Sequence, residues 1–356
     1  MSATRQRGPD PAAILGPMNG QHLTPRILSR RRFLQGAGLA SLGLLVGCGS
    51  LPFSAAQPAK IPRVGFLATD PEVTDRVTTE AVRAGLRELG YVEGQSLVVE
   101  YRYAENQPER HLDLAAELVR LPVDLMIGQG ARAALAAKQA TATIPIVMAS
   151  GGSDPMALGL VQSLARPGGN VTGVAQGLLG SKRLGLLKDV VPGLERVAVL
   201  WHSTAPLAAT NLAELHEAGQ KVGIQVQPVE VRDADVESAI DTATREQARG
   251  LIVIQGPLLS IRVQLADLAL QRGLPTMYPI KDYVQAGGLM AYSPSEEDIG
   301  RRAAYYVDRI LKGAEPADLP VEQPTRFDFV INLQTAQALG LTIPPHVLLQ
   351  ATQVIQ

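Results

Sequence analysis

The chain has 356 residues, 46% of them apolar, which is enough for about two domains with cores of their own. Its 33 basic and 34 acidic residues leave a formal net charge of −1, which argues against nucleic-acid binding by bulk positive charge. The single cysteine excludes an internal disulfide framework and a thiolate zinc site, and the five histidines show no metal-ligand spacing, so we expect no metal site and no cofactor.

The N-terminal residues have the pattern of an export signal. Residues 1–47 carry six arginines and one acidic residue, and Arg30 and Arg31 stand in a Ser-Arg-Arg-Arg-Phe-Leu stretch that resembles a twin-arginine signal. The apolar segment Gly36 to Gly47 follows and is too short to span a bilayer. Cys48 comes directly after Leu-Val-Gly, which resembles a bacterial lipobox and predicts lipid on Cys48 as the first mature residue. The alternative is a basic tail before an apolar helix that holds one cysteine.

The next residues change the charge of the mature part. Residues 48–60 are rich in Ser, Pro and Ala and are predicted to form a flexible tether. Without residues 1–47 the chain has 27 basic and 33 acidic residues, a net charge of −6, and no second long apolar run. We therefore expect an exported, lipid-anchored protein of the periplasm or cell surface, attached to the membrane only through Cys48.

The first half of the mature chain alternates strands with helices. Strands of buried character precede amphipathic stretches in which apolar residues recur with the helical period, and Gly90 ends the first of these helices. The predicted strands are 63–67, 97–103, 123–127, 144–149 and 171–176, and the predicted helices are 74–89, 108–121, 131–141 and 154–164.

The same alternation restarts at Arg196. Here the predicted strands are 197–201, 224–231, 250–255 and 274–277, and the predicted helices are 205–222, 236–248 and 259–272. Strands joined through helices of this length favour right-handed crossovers and parallel sheets. Two such runs, separated near residues 176–182, predict an α/β protein of two doubly wound parallel-sheet lobes.

The C-terminal residues do not simply extend the second run. A strand is predicted near 287–292, a helix from Ser295 to Lys312 with Ser295 as its N-cap and three acidic residues in its first turn, a strand over 326–332 and a short helix over 333–339. This material could pack on either lobe. A chain that crosses between the lobes more than once would form a multi-crossover hinge of adjacent strands.

Several stretches resemble a known family. The chain is similar to the bacterial ABC-transporter substrate-binding lipoproteins with the type I periplasmic-binding-protein fold, in the group that contains tryptophan- and tyrosine-type binding proteins. The matching stretches are 65–67, 85–95, 142–147, 153–155, 166–174, 286–290 and 329–333. The resemblance covers essentially all of residues 61–356. It is specific for the family and not for the ligand.

The resemblance implies a division into lobes. It suggests an N-terminal lobe of residues 61–177 plus 290–320 and a C-terminal lobe of residues 178–289 plus 321–356. Hinge strands would then lie near 173–176, 288–292 and 320–325. It also implies capture of a small ligand between the lobes and delivery to an ABC permease in the inner membrane.

Candidate ligand contacts follow from the fold class. In open α/β sheets, ligands bind beyond the carboxyl ends of the strands, so the loops that follow the strands are selected. The candidates are Thr69, Asp70, Gln129, Gly130, Ala131, Ser150, Trp201, His202, Ser203, Gln255, Tyr278 and Tyr292.

Each candidate also has a structural interpretation. Gly128 to Ala131 would offer backbone N–H groups at a helix N-terminus to a ligand carboxylate, or would form only a tight turn. Trp201 could stack on an apolar ligand group or pack in the core, and His202 could be merely surface. Tyr278 and Tyr292 could form amphipathic walls. Asp70 could pair with a ligand amine or serve as a turn residue, and Asp154 is a more natural helix cap than a contact.

No catalytic constellation is found. The sequence has no Gly-x-Ser-x-Gly nucleophile elbow and no Walker-type phosphate loop, so we expect no enzymatic activity. The leading hypothesis is a monomeric solute-binding lipoprotein for a small ligand, an aromatic or branched amino acid, with no nucleic-acid partner. The alternative is a lipid-anchored ligand sensor for a membrane signalling kinase.

Overall fold

The computed structural model describes most of the chain beyond the tether. The described residues are 60–69, 71, 76–105, 107–150, 152, 154–205, 207–232 and 235–356. The predicted signal with Arg30 and Arg31, the lipidation site Cys48 and the candidate contact Asp70 lie outside them.

The first lobe is built on a parallel sheet. Its five strands are β1 (Arg63–Ala68), β2 (Val98–Tyr103), β3 (Leu125–Gln129), β4 (Ile146–Ala149) and β5 (Val171–Gly173), in the spatial order β2-β1-β3-β4-β5. Every pair in this sheet is parallel, with helices α1 (Arg76–Glu88), α2 (Arg110–Arg120) and α3 (Ala131–Ala140) in the crossovers. The central strands are almost fully buried, which explains why they are continuous aliphatic runs in the sequence.

The second lobe has a sheet of seven strands. The strands are β6 (Arg196–Trp201), β7 (Gln225–Glu230), β8 (Leu251–Val253), β9 (Thr276–Tyr278), β10 (Met290–Pro294), β11 (Phe327–Asn332) and β12 (Gln353–Ile355), ordered β12-β11-β10-β9-β8-β6-β7. The helices that follow β5 along the chain are α4 (Gly180–Val190), α5 (Ala208–Val222), α6 (Val236–Arg245), α7 (Arg262–Gln271), α8 (Asp282–Gln285), α9 (Glu296–Leu311), α10 (Leu333–Ala338) and α11 (Pro345–Leu348). Of these, α9 packs on the first lobe. The two lobes confirm the predicted fold class.

One strand pair departs from the predicted parallel arrangement. β10 and β11 are antiparallel, because the chain leaves the second sheet after β10, forms α9 against the first lobe and then returns. The remaining pairs of this sheet are parallel.

The lobe boundaries fall a few residues from the expected ones. The expected boundary placed residues 290–320 in the first lobe, whereas β10 pairs with β9 and β11 and belongs to the second sheet. Residues 321–322 were expected in the second lobe, yet Val321 N–H donates to Leu164 O at 2.7 Å and Glu322 forms a bridge with Val174 of the first lobe. The crossovers therefore lie after Gln176, between Pro294 and Ser295, and between Glu322 and Arg326.

The helix α9 completes the core of the first lobe. A Cβ atom added at Gly85 of α1 would lie 2.7 Å from the Cβ atom of Ala304, and one added at Gly300 would lie 2.5 Å from that of Ala81. These two glycines let the helix backbones approach closely. Ile299 and Val307 are buried with the strands of the first sheet.

The predicted helix over 154–164 is wrong. These residues form successive turns, and Gly159 interrupts the helical path at φ +66°. Asp154 still caps the backbone: its carboxylate accepts from the N–H groups of Met156 and Ala157, both at 3.0 Å. The remaining predicted elements are present with ends shifted by a few residues, and α4, α8, α11 and β12 were not predicted.

Candidate functional site

A cavity lies between the lobes at the carboxyl ends of the strands. Its volume of about 200 Å³ is below the roughly 300 Å³ at which pockets for drug-sized ligands begin, so it suits a smaller molecule. Six of the predicted contacts line it, five from the first lobe and one from the second: Thr69, Gln129, Gly130, Ala131, Ser150 and Gln255. The strand-end rule thus brings loops from both sheets to one place.

The predicted aromatic contacts do not line this cavity. Trp201 packs against the apolar core of the second lobe. Tyr278 is 1% exposed and stacks on Tyr283 with ring centroids 4.9 Å apart. Tyr292 stacks on Phe327 at 5.3 Å. Successive side chains of a strand point to opposite faces of the sheet. These three rings pack on the sheet faces, so they do not enter the cavity although they stand near strand ends.

The neighbouring polar candidates of the second lobe also lie elsewhere. His202 Nδ1 accepts from the backbone N–H of Thr204 at 3.2 Å and lies 2.8 Å from its hydroxyl. Ser203 hydrogen-bonds the Glu230 carboxylate. These contacts form a local turn after β6 that does not reach the cavity.

The first-lobe wall is formed by the start of α3. Gly130 has φ +86°, and a Cβ atom there would lie 2.9 Å from Thr69 Oγ1, so the turn accommodates only glycine without strain. Gly130 has no side chain to cap α3, and no capping side-chain hydrogen bond is present among the described residues. The second residue of the helix, Arg132, lines the cavity, and its buried Nη2 has no hydrogen-bond partner among the described residues. The sequence argument reached Ala131 and missed Arg132, although it is the next residue.

A buried histidine lies beside this wall. His111 is 4% exposed, its Nδ1 is 3.2 Å from Pro108 O, and its Nε2 is 3.3 Å from Thr69 Oγ1. Thr69 Oγ1 in turn donates to Gln129 O at 3.1 Å. Burial lowers the pKa of His111, and the charge of Arg132 lowers it further. The sequence did not select His111 as a candidate, because its place on a helix gives no sign that the side chain is buried at the cavity.

The second-lobe wall carries a carboxylate and an arginine. Glu214 of α5 accepts from the N–H groups of Gly180 and Ser181, both at 2.9 Å, and from Ser181 Oγ at 3.1 Å, so it serves as the N-terminal cap of α4. Arg183 donates from Nε to Tyr292 O at 2.9 Å and from Nη2 to Pro279 O at 3.1 Å. The dense packing around its guanidinium lowers its pKa to about 10, so it stays protonated at neutral pH.

The hinge also contributes to the cavity. Gln176, which follows β5, donates from Nε2 to Ser150 Oγ at 2.7 Å and from its backbone N–H to Gly152 O at 2.8 Å. Ser150 has φ +66°, a backbone conformation that is uncommon for a residue with a side chain. The first crossover segment is therefore tied to the first lobe at the cavity floor.

The described residues contain no group of three or more His, Cys, Asp or Glu side chains placed to hold a metal ion. Within the same residues, no helix combines the length and apolar character needed to cross a bilayer.

Comparison with known proteins places these features in a family. Residues 74–355 match the family model of the ABC transporter substrate binding protein. A tyrosine-binding protein of Clostridioides difficile is 25% identical over 315 residues, covering 86% of this chain and 90% of that protein.

Two solved structures are similar over the same region. A conserved domain protein from Vibrio cholerae shares 29% identity with a TM-score of 0.78, covering 83% of this chain and 100% of that one. A Streptococcus pneumoniae ABC domain in complex with L-Trp shares 28% identity with a TM-score of 0.77, covering 83% and 99%. The two lobes have the type I periplasmic-binding-protein fold. The chain belongs to the ABC transporter substrate-binding protein family.

Proposed function

We propose that this protein is an extracytoplasmic solute-binding lipoprotein that captures an amino acid between its lobes and delivers it to an ABC permease. The observation that carries the proposal is the charge pattern of the cavity. Two arginines, Arg132 and Arg183, and two glutamates, Glu214 and Glu296, line it. Arg183 and Glu214 are held by groups of the fold, so the acid group of an amino acid would bind the donor of Arg132 that has no partner among the described residues. Glu296 contributes a charge of the opposite sign to the same cavity, which suits a zwitterion.

The apolar part of the cavity supports an aromatic or branched side chain. Its apolar lining is mostly aliphatic and includes Leu179, Leu207, Leu215, Ile252, Ile254 and Ile280. Such walls gain free energy from burying any large apolar group, at roughly 25 cal/mol per Å² removed from water. Because Trp201, Tyr278 and Tyr292 lie outside this cavity, the aromatic preference rests on the similar tyrosine-binding protein and on the similar domain bound to L-Trp.

Ligand capture would act through the hinge. The cavity residues come from both lobes, so one ligand contacts both walls only when the lobes are close together. A ligand that binds the closed arrangement better stabilises it by its differential affinity. The permease would then recognise the closed form.

The proposal is tested by thermal unfolding of the purified full chain against the protein amino acids. A true ligand at about 100 times its Kd should stabilise the protein by about 2.7 kcal/mol and should be recovered chemically unaltered. Gln255→Ala, at the cavity wall, should weaken binding about fivefold, since one hydrogen bond contributes about 1 kcal/mol. The matched control Gln271→Ala changes an exposed residue outside the cavity and should bind normally. If no amino acid raises the unfolding temperature, the proposed function is wrong.

Lipid anchoring is the second part of the proposal and is supported by the signal-like residues before Cys48. The Cys48→Ser variant should lose metabolic labelling with a fatty acid while keeping the affinity of the wild-type protein for its amino acid. Labelling that persists in this variant would contradict lipidation at Cys48.

A further inference from the structure

The first-lobe wall holds a positive charge without a counter-ion among the described residues. The buried Nη2 of Arg132 has no hydrogen-bond partner, and burial lowers the pKa of its guanidinium. A buried donor that has lost water and gained no acceptor costs free energy, more so on a charged group. Because Arg132 faces the cavity, an anionic group of a ligand there would supply the missing acceptor.

The hydrogen bonds around His111 show a second incomplete arrangement. Pro108 O can only accept, so His111 Nδ1 must carry a hydrogen to bond it. In a neutral ring, Nε2 is then an acceptor, and it competes with Gln129 O for the one hydroxyl hydrogen of Thr69. In the protonated ring, Nε2 donates to Thr69 Oγ1, Thr69 donates to Gln129 O, and every contact is satisfied.

The charges around His111 oppose that protonated form. The charge of Arg132 on α3 lowers the pKa of the ring, and the charge of Glu109, the N-cap residue of the helix that carries His111, raises it. The neighbouring Arg110 forms an ion pair with Glu105, with 2.7 Å between Nη1 and Oε2. The other charged residues of the cavity lining are Arg183, Glu214 and Glu296. A carboxylate on Arg132 would offset the nearest opposing charge and leave the hydrogen-bond pattern free to favour the imidazolium.

We propose that Arg132 and His111 together form a proton-coupled acid-group subsite: the ligand carboxylate binds Arg132, and His111 takes up a proton as the ligand binds. This inference rests on the proposed function, because it concerns the same cavity. It adds an orientation, with the acid group toward the first lobe, and a regulation, with capture favoured in mildly acidic surroundings.

The test measures binding and proton uptake by calorimetry on the purified full chain with L-tryptophan, L-tyrosine and L-leucine. Their acid and amino groups do not titrate between pH about 5.5 and about 7.5, so a linked proton comes from the protein. The difference in binding enthalpy between two buffers of different ionisation enthalpy gives the number of protons taken up on binding. We expect uptake of up to one proton per bound ligand. The Kd should decrease as the pH decreases, by at most about tenfold per pH unit for one linked proton.

Three variants separate the parts of the subsite. His111→Gln should bind without proton uptake and with little pH dependence, whereas His202→Gln, outside the cavity, should behave as the wild type. Arg132→Gln should bind about 10- to 100-fold more weakly, from the loss of one charge-assisted hydrogen bond. It should also lose the preference for L-tryptophan over tryptamine, which lacks the carboxylate. Arg132→Lys keeps the positive charge, so it should retain part of the affinity and part of the preference for L-tryptophan over tryptamine.

A second measurement keeps the inference decidable without a ligand. In NMR titrations of the free protein, the pKa of His111 should rise in Arg132→Gln and stay unchanged in Asp70→Asn. A fall in Asp70→Asn would identify an internal counter-ion and overturn the inference, as would an unchanged pKa in Arg132→Gln. Amino-acid binding with no proton uptake would overturn the inference and leave the proposed function standing. If no amino acid binds, the proposed function fails, and the NMR titration still decides whether Arg132 acts on His111.

Discussion

The two walls of the cavity each present one arginine, and the two arginines differ in what they bind. Arg183 in the second lobe donates to the carbonyl oxygens of Tyr292 and Pro279 and so ties α4 to the ends of β9 and β10. Arg132 in the first lobe leaves Nη2 without a partner among the described residues. The difference indicates that a residue can line a cavity without being available to bind a ligand. An arginine that the fold already satisfies is structural, and an unsatisfied one is available to a ligand.

The largest expected effect comes from exchanging each arginine for an apolar residue of similar length. Arg183→Met removes the donors of two carbonyl groups and should lower the free energy of unfolding by about 2–4 kcal/mol, since hydrogen bonds to charged groups are the stronger ones. Arg132→Met should leave it within about 0.5 kcal/mol of the wild type or raise it, because no bond among the described residues is lost and the cost of an unpaired buried charge is removed. Urea unfolding of the ligand-free proteins measures both. Equal losses in the two variants would remove the distinction between the walls.

A smaller effect is expected at the carboxylate of the second wall. Glu214→Ala leaves the first N–H groups of α4 without their acceptor and should destabilise the ligand-free protein by about 1–2 kcal/mol. The matched control is Glu217→Ala on the same helix, where only a solvent-exposed pair with Lys221 is lost and the effect on stability should be much smaller. Chemical unfolding compares the two. If Glu214→Ala costs no more than its control, the capping role is wrong.

The smallest expected effect is the pH dependence that His111 confers on the ligand-free protein. Its pKa in the folded state lies below the ordinary value of about 6.5, so on acidification the unfolded chain binds a proton before the folded one does. The stability linked to His111 is therefore complete above pH about 6.5 and is lost as the pH falls through the lower folded-state pKa. Thermal unfolding of His111→Gln should show a shallower decline over this range than the wild type or His202→Gln. An identical decline in all three would place the acid sensitivity elsewhere.

Much of the fold could be predicted because its periodicity is local. Every strand except β12 and most helices follow from apolar runs and helical spacing. The loops at the strand ends supplied six residues of the cavity: Thr69, Gln129, Gly130, Ala131, Ser150 and Gln255. The helix predicted over 154–164 failed because an apolar pattern does not register the left-handed backbone at Gly159.

The parts that could not be predicted depend on distant contacts. The apolar face of α9 shows that the helix packs on something, and only the tertiary structure shows that its partner is α1. Tyr278 stands at the end of β9, as a ligand contact would, yet its ring points into the packed face against Tyr283. Arg132 is visible in the sequence, but its lack of a partner is a property of its surroundings, which no local pattern encodes.

The insertion of α9 into the first lobe also bears on how the chain acquires its structure. The hydrophobic face of α1 is covered by residues of α9, which are synthesised only after β6 to β10 of the second lobe. The first lobe therefore cannot finish folding as an autonomous N-terminal unit during synthesis, and contacts so distant in sequence slow the formation of a native core. The two lobes have separate sheets, but they must be assembled as one.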